Sequence, residues 1–196
     1  MNASALTHPR HQRSRGRLDL DYALHEGRTM LGGLYQSPPM RALFPDPEAD
    51  EAPICALVNT AGGLAGGDRV EIALSLGAGA RASFSTPAAE KIYRSLGPAT
   101  EISVSLEAGP GAVFEWIPQE TILFEGARLQ RSMRADIAED ATLLMAEALV
   151  FGRAPARWPR LICAMLCVMM ARLPAWCGPA CCWRAGWAVR LRCGKG

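Results

Sequence analysis

Arg69-Val70-Glu71-Ile72-Ala73-Leu74-Ser75-Leu76-Gly77-Ala78-Gly79-Ala80-Arg81-Ala82-Ser83-Phe84 is the stretch whose reading decides the architecture. Val70, Ile72, Leu74 and Leu76 alternate with Glu71, Ala73 and Ser75, the period of a half-buried strand. Gly77-Ala78-Gly79 then turns the chain into Ala80-Arg81-Ala82-Ser83-Phe84, a strand–turn–strand signature. The unit recurs. Ile102, Val104 and Leu106 alternate, Ala108-Gly109-Pro110-Gly111 turns, and Ala112-Val113-Phe114-Glu115-Trp116 returns. A third copy runs through Leu129, Met133 and Ile137, turns at Ala138-Glu139-Asp140 and returns along Ala141-Thr142-Leu143-Leu144-Met145. Aligning Ala80, Ala112 and Ala141 gives spacings of 32 and 29 residues, a repeated structural unit. One hairpin buries too little to stand alone. The pattern therefore predicts a mainly β fold of stacked antiparallel hairpins in two layers, a β-sandwich or a β-helix-like stack. Two short helices are expected beside the strands, over residues 87–94 and, as a single turn after Pro118, over 119–124. A parallel α/β fold is set aside, because its helical crossovers need about ten or more residues and these turns are shorter.

Working outward, the chain has 196 residues, with 49% apolar and 20% charged, a globular composition of one domain or two small ones. Its longest apolar run, residues 161–171, falls short of the roughly 20 residues a bilayer-spanning helix requires, so no membrane partner is expected. The formal charge of +2 conceals a division. All 19 acidic residues lie within 1–153, beside 14 of the 21 basic ones, whereas 154–196 carry seven basic residues and no acid. The main body is acidic with scattered cations, which excludes the basic stripe of a nucleic-acid binder. Residues 1–17 hold Arg10, Arg13, Arg15 and Arg17 but no apolar core segment. They read as a disordered N-terminal tail rather than a secretory signal, and a cytoplasmic location is expected.

The last 43 residues gather Cys163, Cys167, Cys177, Cys181, Cys182 and Cys193, together with four of the five Trp, leaving Cys55 alone upstream. Their spacing is not that of the common zinc modules, and no His follows His25. Back-translating residues 162–189 and regrouping each codon's last base with the next two permits a string with the charge and helical periodicity that this tail lacks. Residues 154–196 are accordingly read as an irregular, out-of-frame Cys/Trp-rich tail. The competing reading is a Cys-rich metal-binding protein that uses those thiols.

Candidate chemistry is sparse. Gly62 and Gly67 have the spacing of a phosphate loop, but Asp68-Arg69 stand where Lys and Ser or Thr belong, and no long helix follows. The glycines Gly62, Gly63, Gly66 and Gly67 are read as structural, permitting positive φ and close backbone approach. His8, His11 and His25 lie in or near the N-terminal tail, so a nucleophile would lack its base. Glu115 and Glu120 form a carboxylate pair that a β-rich hydrolase could use. Glu147 is the most anomalous residue: among Leu143, Leu144, Met145, Leu149 and Val150 it must be paired or face water.

Three blocks then acquire meaning in order: Leu57-Val58-Asn59-Thr60-Ala61-Gly62-Gly63-Leu64-Ala65-Gly66-Gly67-Asp68, Thr86-Pro87-Ala88-Ala89-Glu90-Lys91-Ile92-Tyr93-Arg94-Ser95, and Glu115-Trp116-Ile117-Pro118-Gln119-Glu120-Thr121-Ile122-Leu123-Phe124. Together with Glu147-Ala148-Leu149-Val150-Phe151-Gly152-Arg153 they resemble the signature blocks of the urease accessory protein UreD (UreH) family over about residues 18–153. The resemblance implies a mostly β, non-enzymatic scaffold. It implies partnership with UreF-like and UreG-like proteins on apo-urease, and assistance to nickel insertion, with nickel passing in transit through an internal water-filled tunnel and no cofactor tightly bound. Oxygen ligands hold nickel more weakly than imidazole or thiolate, which suits passage. On that basis Asp68, Glu115, Glu120 and Glu147 are expected to face the tunnel or a partner, with Tyr93, Arg94 and Gln119 shaping the same region.

Overall fold

The structure, a computed structural model, describes residues 13–48, 51–152, 169–170, 182–183 and 187–194. Four strands open the chain: β1 (Arg15–His25), β2 (Arg28–Ser37), β3 (Met40–Leu43) and β4 (Ile54–Asn59). Three coils of three strands follow. The first is β5 (Arg69–Leu76), β6 (Arg81–Ser85) and β7 (Glu90–Ile92), and the second is β8 (Thr100–Ala108), β9 (Val113–Ile117) and β10 (Thr121–Leu123). The third is β11 (Leu129–Ala138), β12 (Thr142–Met145) and β13 (Leu149–Phe151). Three further strands, β14 (Met169–Met170), β15 (Cys182–Trp183) and β16 (Trp187–Gly194), extend the sheets.

Each coil contributes one strand to each of three sheets. The first sheet runs β15-β16-β11-β8-β5-β1-β2, the second β14-β12-β9-β6-β4-β3, and the third β13-β10-β7. Corresponding strands of successive coils pair in parallel, β5 with β8 and β8 with β11, β6 with β9 and β9 with β12, β7 with β10 and β10 with β13. The molecule is thus mainly β and a stacked, β-solenoid-like arrangement, as the repeat spacing predicts. Two details differ. The strands of one strand–turn–strand unit do not form an antiparallel hairpin, because the glycine turn carries the chain from the first sheet into the second. A parallel neighbour is reached without a helix, since the rest of the coil, passing through the other two sheets, is itself the crossover.

No helix occurs among the described residues. The segments expected to be helical contain β7 and β10 instead. Ala88-Ala89-Glu90-Lys91 favours a helix by only a few tenths of a kcal/mol per residue. Ladder bonds outweigh that preference: Glu90 N–H donates to the Glu120 carbonyl at 3.0 Å, Tyr93 N–H to Leu64 at 2.8 Å and Phe124 N–H to Ile92 at 3.0 Å. At the N-terminus β1 starts at Arg15, inside the stretch read as a tail. Its entry is fixed by Ser14, whose N–H donates to Asp68 and whose carbonyl accepts from Arg69 N–H. Residues 1–12 of that tail, and Cys163, Cys167, Cys177 and Cys181, lie outside the described residues.

The core fills the space between the sheets. Phe84 and Phe114, on adjacent strands of the second sheet, stack with centroids 4.8 Å apart, and Tyr22 tilts onto Phe84 at 5.9 Å. Ala80, Ala112 and Ala141 form a buried column at the corner between the first and second sheets. They are held by Val113 N–H to the Ala80 carbonyl at 3.0 Å and Thr142 N–H to the Ala112 carbonyl at 2.8 Å. The sequence alignment on these alanines is therefore the physical register of the coils.

Candidate functional site

Inward positions of β5 and β8 carry no charge, the buried hydroxyl of Thr100 being the one polar group among them. Val70 on β5 and Ile102 on β8 stand side by side in the ladder, and the next residue in that row is Arg131 on β11. Arg131 is 7% exposed. A guanidinium at that depth requires a partner. Glu147, two residues beyond β12, supplies its carboxylate to the Arg131 guanidinium. The Trp116 indole N–H donates to the same carboxylate oxygen at 2.9 Å. Trp116 is fixed by β9, which pairs with β12 through Trp116 and Met145.

Across the interior, Glu90 occupies the first position of β7 and accepts from the Asn59 amide with both oxygens, at 3.1 and 3.0 Å. Burial pushes the Glu90 carboxyl above its ordinary range, against the opposing pull of the Asn59 amide, the Lys91 backbone N–H and the positive charge of Arg131. Asn59, Glu90, Trp116, Thr121, Arg131 and Glu147 line one cavity of about 140 Å³ where the third sheet meets the other two. Such a chamber can hold water and coordinate a cation weakly through carboxylate and amide oxygens. Among the described residues no three His, Cys, Asp or Glu side chains converge as a metal site.

The remaining predicted residues take other places. Asp68 is buried outside the chamber, accepting from the backbone N–H groups of Ser14 and Ala65, both at 2.8 Å, so it caps a turn and anchors the start of β1. Glu115 points away from the core and lines an outer groove with Arg28, Glu48, Glu51 and Arg81. Glu120 lines neither that groove nor the chamber. Gln119 stands at the chamber's rim, its N–H donating to Thr86 Oγ1 at 2.9 Å. Tyr93 stacks on Phe124 at 5.3 Å and donates its hydroxyl to the Gly62 carbonyl at 3.2 Å, while Arg94 is exposed and packs over Gly126.

Gly62, Gly63 and Gly67 have φ of 71°, 144° and 89°, and Gly62 and Gly63 border the chamber. Gly66 admits no side chain at all, since a Cβ there would lie 1.9 Å from Ser95 Oγ and 2.4 Å from the Pro98 carbonyl oxygen. Sequence reasoning missed Asn59, Glu90, Trp116 and Arg131 as site residues. A signal existed for Arg131: it holds an inward slot in the alternation Leu129, Arg131, Met133, Ala135, Ile137.

Comparison with known proteins gives a consistent result. The profile of the UreD urease accessory protein family matches residues 14–166. A protein named urease accessory protein UreD from Granulibacter bethesdensis is 62% identical over 111 residues, covering 57% of this chain and 46% of that protein. Its namesake from Methylobacterium sp. (strain 4-46) is 51% identical over 146 residues, covering 74% and 51%. The one from Rhodopseudomonas palustris (strain BisA53) is 46% identical over 142 residues, covering 72% and 49%. The chain spans about half the length of these curated relatives.

Proposed function

The chain belongs to the UreD family of urease accessory proteins, and from that premise we propose that it acts as a non-catalytic scaffold that helps deliver nickel into apo-urease, together with UreF-like and UreG-like proteins. The family match over residues 14–166 carries the reading. The interior chamber supports it chemically. Glu90 and Glu147 offer oxygen ligands, and Arg131 sets a positive charge beside both. A divalent cation passing through would meet carboxylates strong enough to replace part of its hydration and too compensated to retain it. Asn59, Glu90 and Glu147 are the residues that would touch the cargo, and Trp116 and Arg131 hold Glu147 in place.

Co-expression with the urease and UreF-like and UreG-like genes of the same genome tests the proposal. The expected result is co-purification with the UreF-like protein or apo-urease, and nickel-dependent urease activity that falls at least about tenfold with Glu90→Gln. A chain that binds neither partner overturns the scaffold role. Wild-type activation by Glu90→Gln and Glu147→Gln alike overturns the passage through this chamber.

A further inference from the structure

β2 forms one end of the first sheet, paired with β1 on one side and with no strand on the other among the described residues. Free edges of long strands are ordinarily kept short, charged or covered. This one is ten residues long, and Arg28 is its only charged residue. Its sequence, Arg28-Thr29-Met30-Leu31-Gly32-Gly33-Leu34-Tyr35-Gln36-Ser37, is symmetrical in chemical class about its centre. Read from either end it runs two polar residues, two large apolar residues and a glycine. The apolar members are exposed: Met30 55%, Leu31 43%, Leu34 39% and Tyr35 56%.

The pairing with β1 assigns faces to these side chains. Leu34 stands opposite Leu20 and Leu31 opposite Tyr22, both core residues, so Leu31 and Leu34 share the inner face. Met30 stands opposite Ala23 and Tyr35 opposite Asp19, placing both on the outer face. The register irregularity between Asp21 and Tyr22 is what brings residues three apart in sequence onto one side. An antiparallel copy whose axis passes between Gly32 and Gly33 would set Met30 against Tyr35 on one face and Leu31 against Leu34 on the other. Thr29 would meet Gln36, and Arg28 would meet Ser37. Every opposed pair then lies on a common face, as cross-strand packing requires.

The register is also held rigidly from within. Gln36 Oε1 accepts from Ala42 N–H at 2.9 Å, Ser37 Oγ accepts from Arg17 N–H at 3.0 Å, and Thr29 Oγ1 accepts from Arg81 N–H at 2.9 Å. The strand is therefore ordered before any partner arrives, which lowers the entropy lost on docking.

We propose that β2 pairs edge to edge with β2 of a second copy of this chain, antiparallel about a two-fold axis between Gly32 and Gly33, joining two solenoids through one continuous sheet. A two-fold interface must be self-complementary, and a strand palindromic in chemistry and in facing meets that condition as a generic partner's strand would not.

Sedimentation velocity of the full chain across a concentration series is the primary test. The expected result is a monomer–dimer equilibrium that Leu34→Lys weakens at least about tenfold, equivalent to roughly 1.4 kcal/mol, with an unchanged melting curve. Tyr35→Glu, on the opposite face, repeats the test if Leu34→Lys does not fold. Leu96→Lys, at an 85% exposed site outside β2, should leave the dimer intact. Mixing Met30→Cys and Tyr35→Cys chains under mild oxidation should yield a disulfide between positions 30 and 35, read by peptide mass spectrometry. A monomer at every concentration, equal weakening by Leu96→Lys, a dimer indifferent to both β2 variants, or the absence of the 30–35 link overturns the proposal. So does a β2 edge protected from hydrogen exchange only when apo-urease is added, which would assign the edge to that protein.

Discussion

Two corners of the same coil solve the problem of closure differently. Between the first and second sheets the interior is apolar: the alanine column sits at the turn, with Phe84 and Phe114 stacked beside it. Between the third sheet and the other two lies a cavity, largely apolar in its walls, that Arg131, Glu147 and Glu90 also line. The coils are the same three in both places, so the repeat does not dictate the interior. Strand length does. β6, β9 and β12 are four or five residues long and pack as a wall, whereas β7, β10 and β13 are three residues each and leave space that loops and long polar side chains occupy.

The comparison can be broken most sharply by removing one member from each corner. Glu147→Ala leaves the buried Arg131 guanidinium without that carboxylate and is expected to destabilise the fold by about 3–5 kcal/mol in urea unfolding, because desolvation of the cation persists while the compensation from that carboxylate is lost. Phe114→Ala, at the apolar corner, is expected to lose a similar amount, about 3–5 kcal/mol, through cavity formation. The two are separated by the double replacement Arg131→Met with Glu147→Leu, which should restore most of the parental stability. No second substitution of that kind is available to Phe114→Ala. A loss below about 1 kcal/mol for Glu147→Ala would mean that water reaches the pair freely.

A smaller effect is expected from Ala112→Val. Two extra methyl groups in the alanine column should cost about 1–3 kcal/mol by overpacking, measured by the same unfolding curves. Smaller still is the pH dependence introduced by Glu90. Its carboxyl is raised by burial, so the folded state holds the proton more firmly than the unfolded chain does. That contribution to stability is whole below the ordinary carboxylate range and is lost as pH rises through the raised value. Asn59, Lys91 and Arg131 face the group and moderate the loss. Glu90→Gln removes the titration, so the variant should gain on the parent as pH rises above the ordinary carboxylate range. A stability difference independent of pH would show that Glu90 is solvated. The least demanding check concerns Cys55, whose thiol is pushed up to about 12 by burial, so it should resist alkylation at pH 8 until the chain unfolds.

Much of this was legible in the residues. The alternation around Val70–Leu76-type runs gave the strands, and the alanines Ala80, Ala112 and Ala141 marked the coil-to-coil register to the residue. Strand direction was not legible, because a period of two is the same in parallel and antiparallel pairing. The third sheet was hidden because three residues are too few to display a period, and the helical leaning of Ala88-Ala89-Glu90-Lys91 filled the gap. Glu147 betrayed itself as a charge among apolar neighbours. Asn59 and Glu90 did not, since they sit at a strand's end and a strand's start, three residues from Gly62 and Pro87, where polar residues are ordinary.

The alanine column has a further consequence for how such a chain can change length. From the start of the first-sheet strand to its alanine, the second and third coils are identical in span, 100–112 and 129–141. The whole difference between the spacings of 32 and 29 lies beside the third sheet, where loops 86–89 and 93–99 shorten to 118–120 and 124–128. Insertions and deletions are thus absorbed on one flank, which acts as the clasp of the coil, while the opposite seam admits none. Variation among kindred chains should accumulate on the clasp side, where the Glu90–Arg131–Glu147 cavity lies, leaving the seam to keep count.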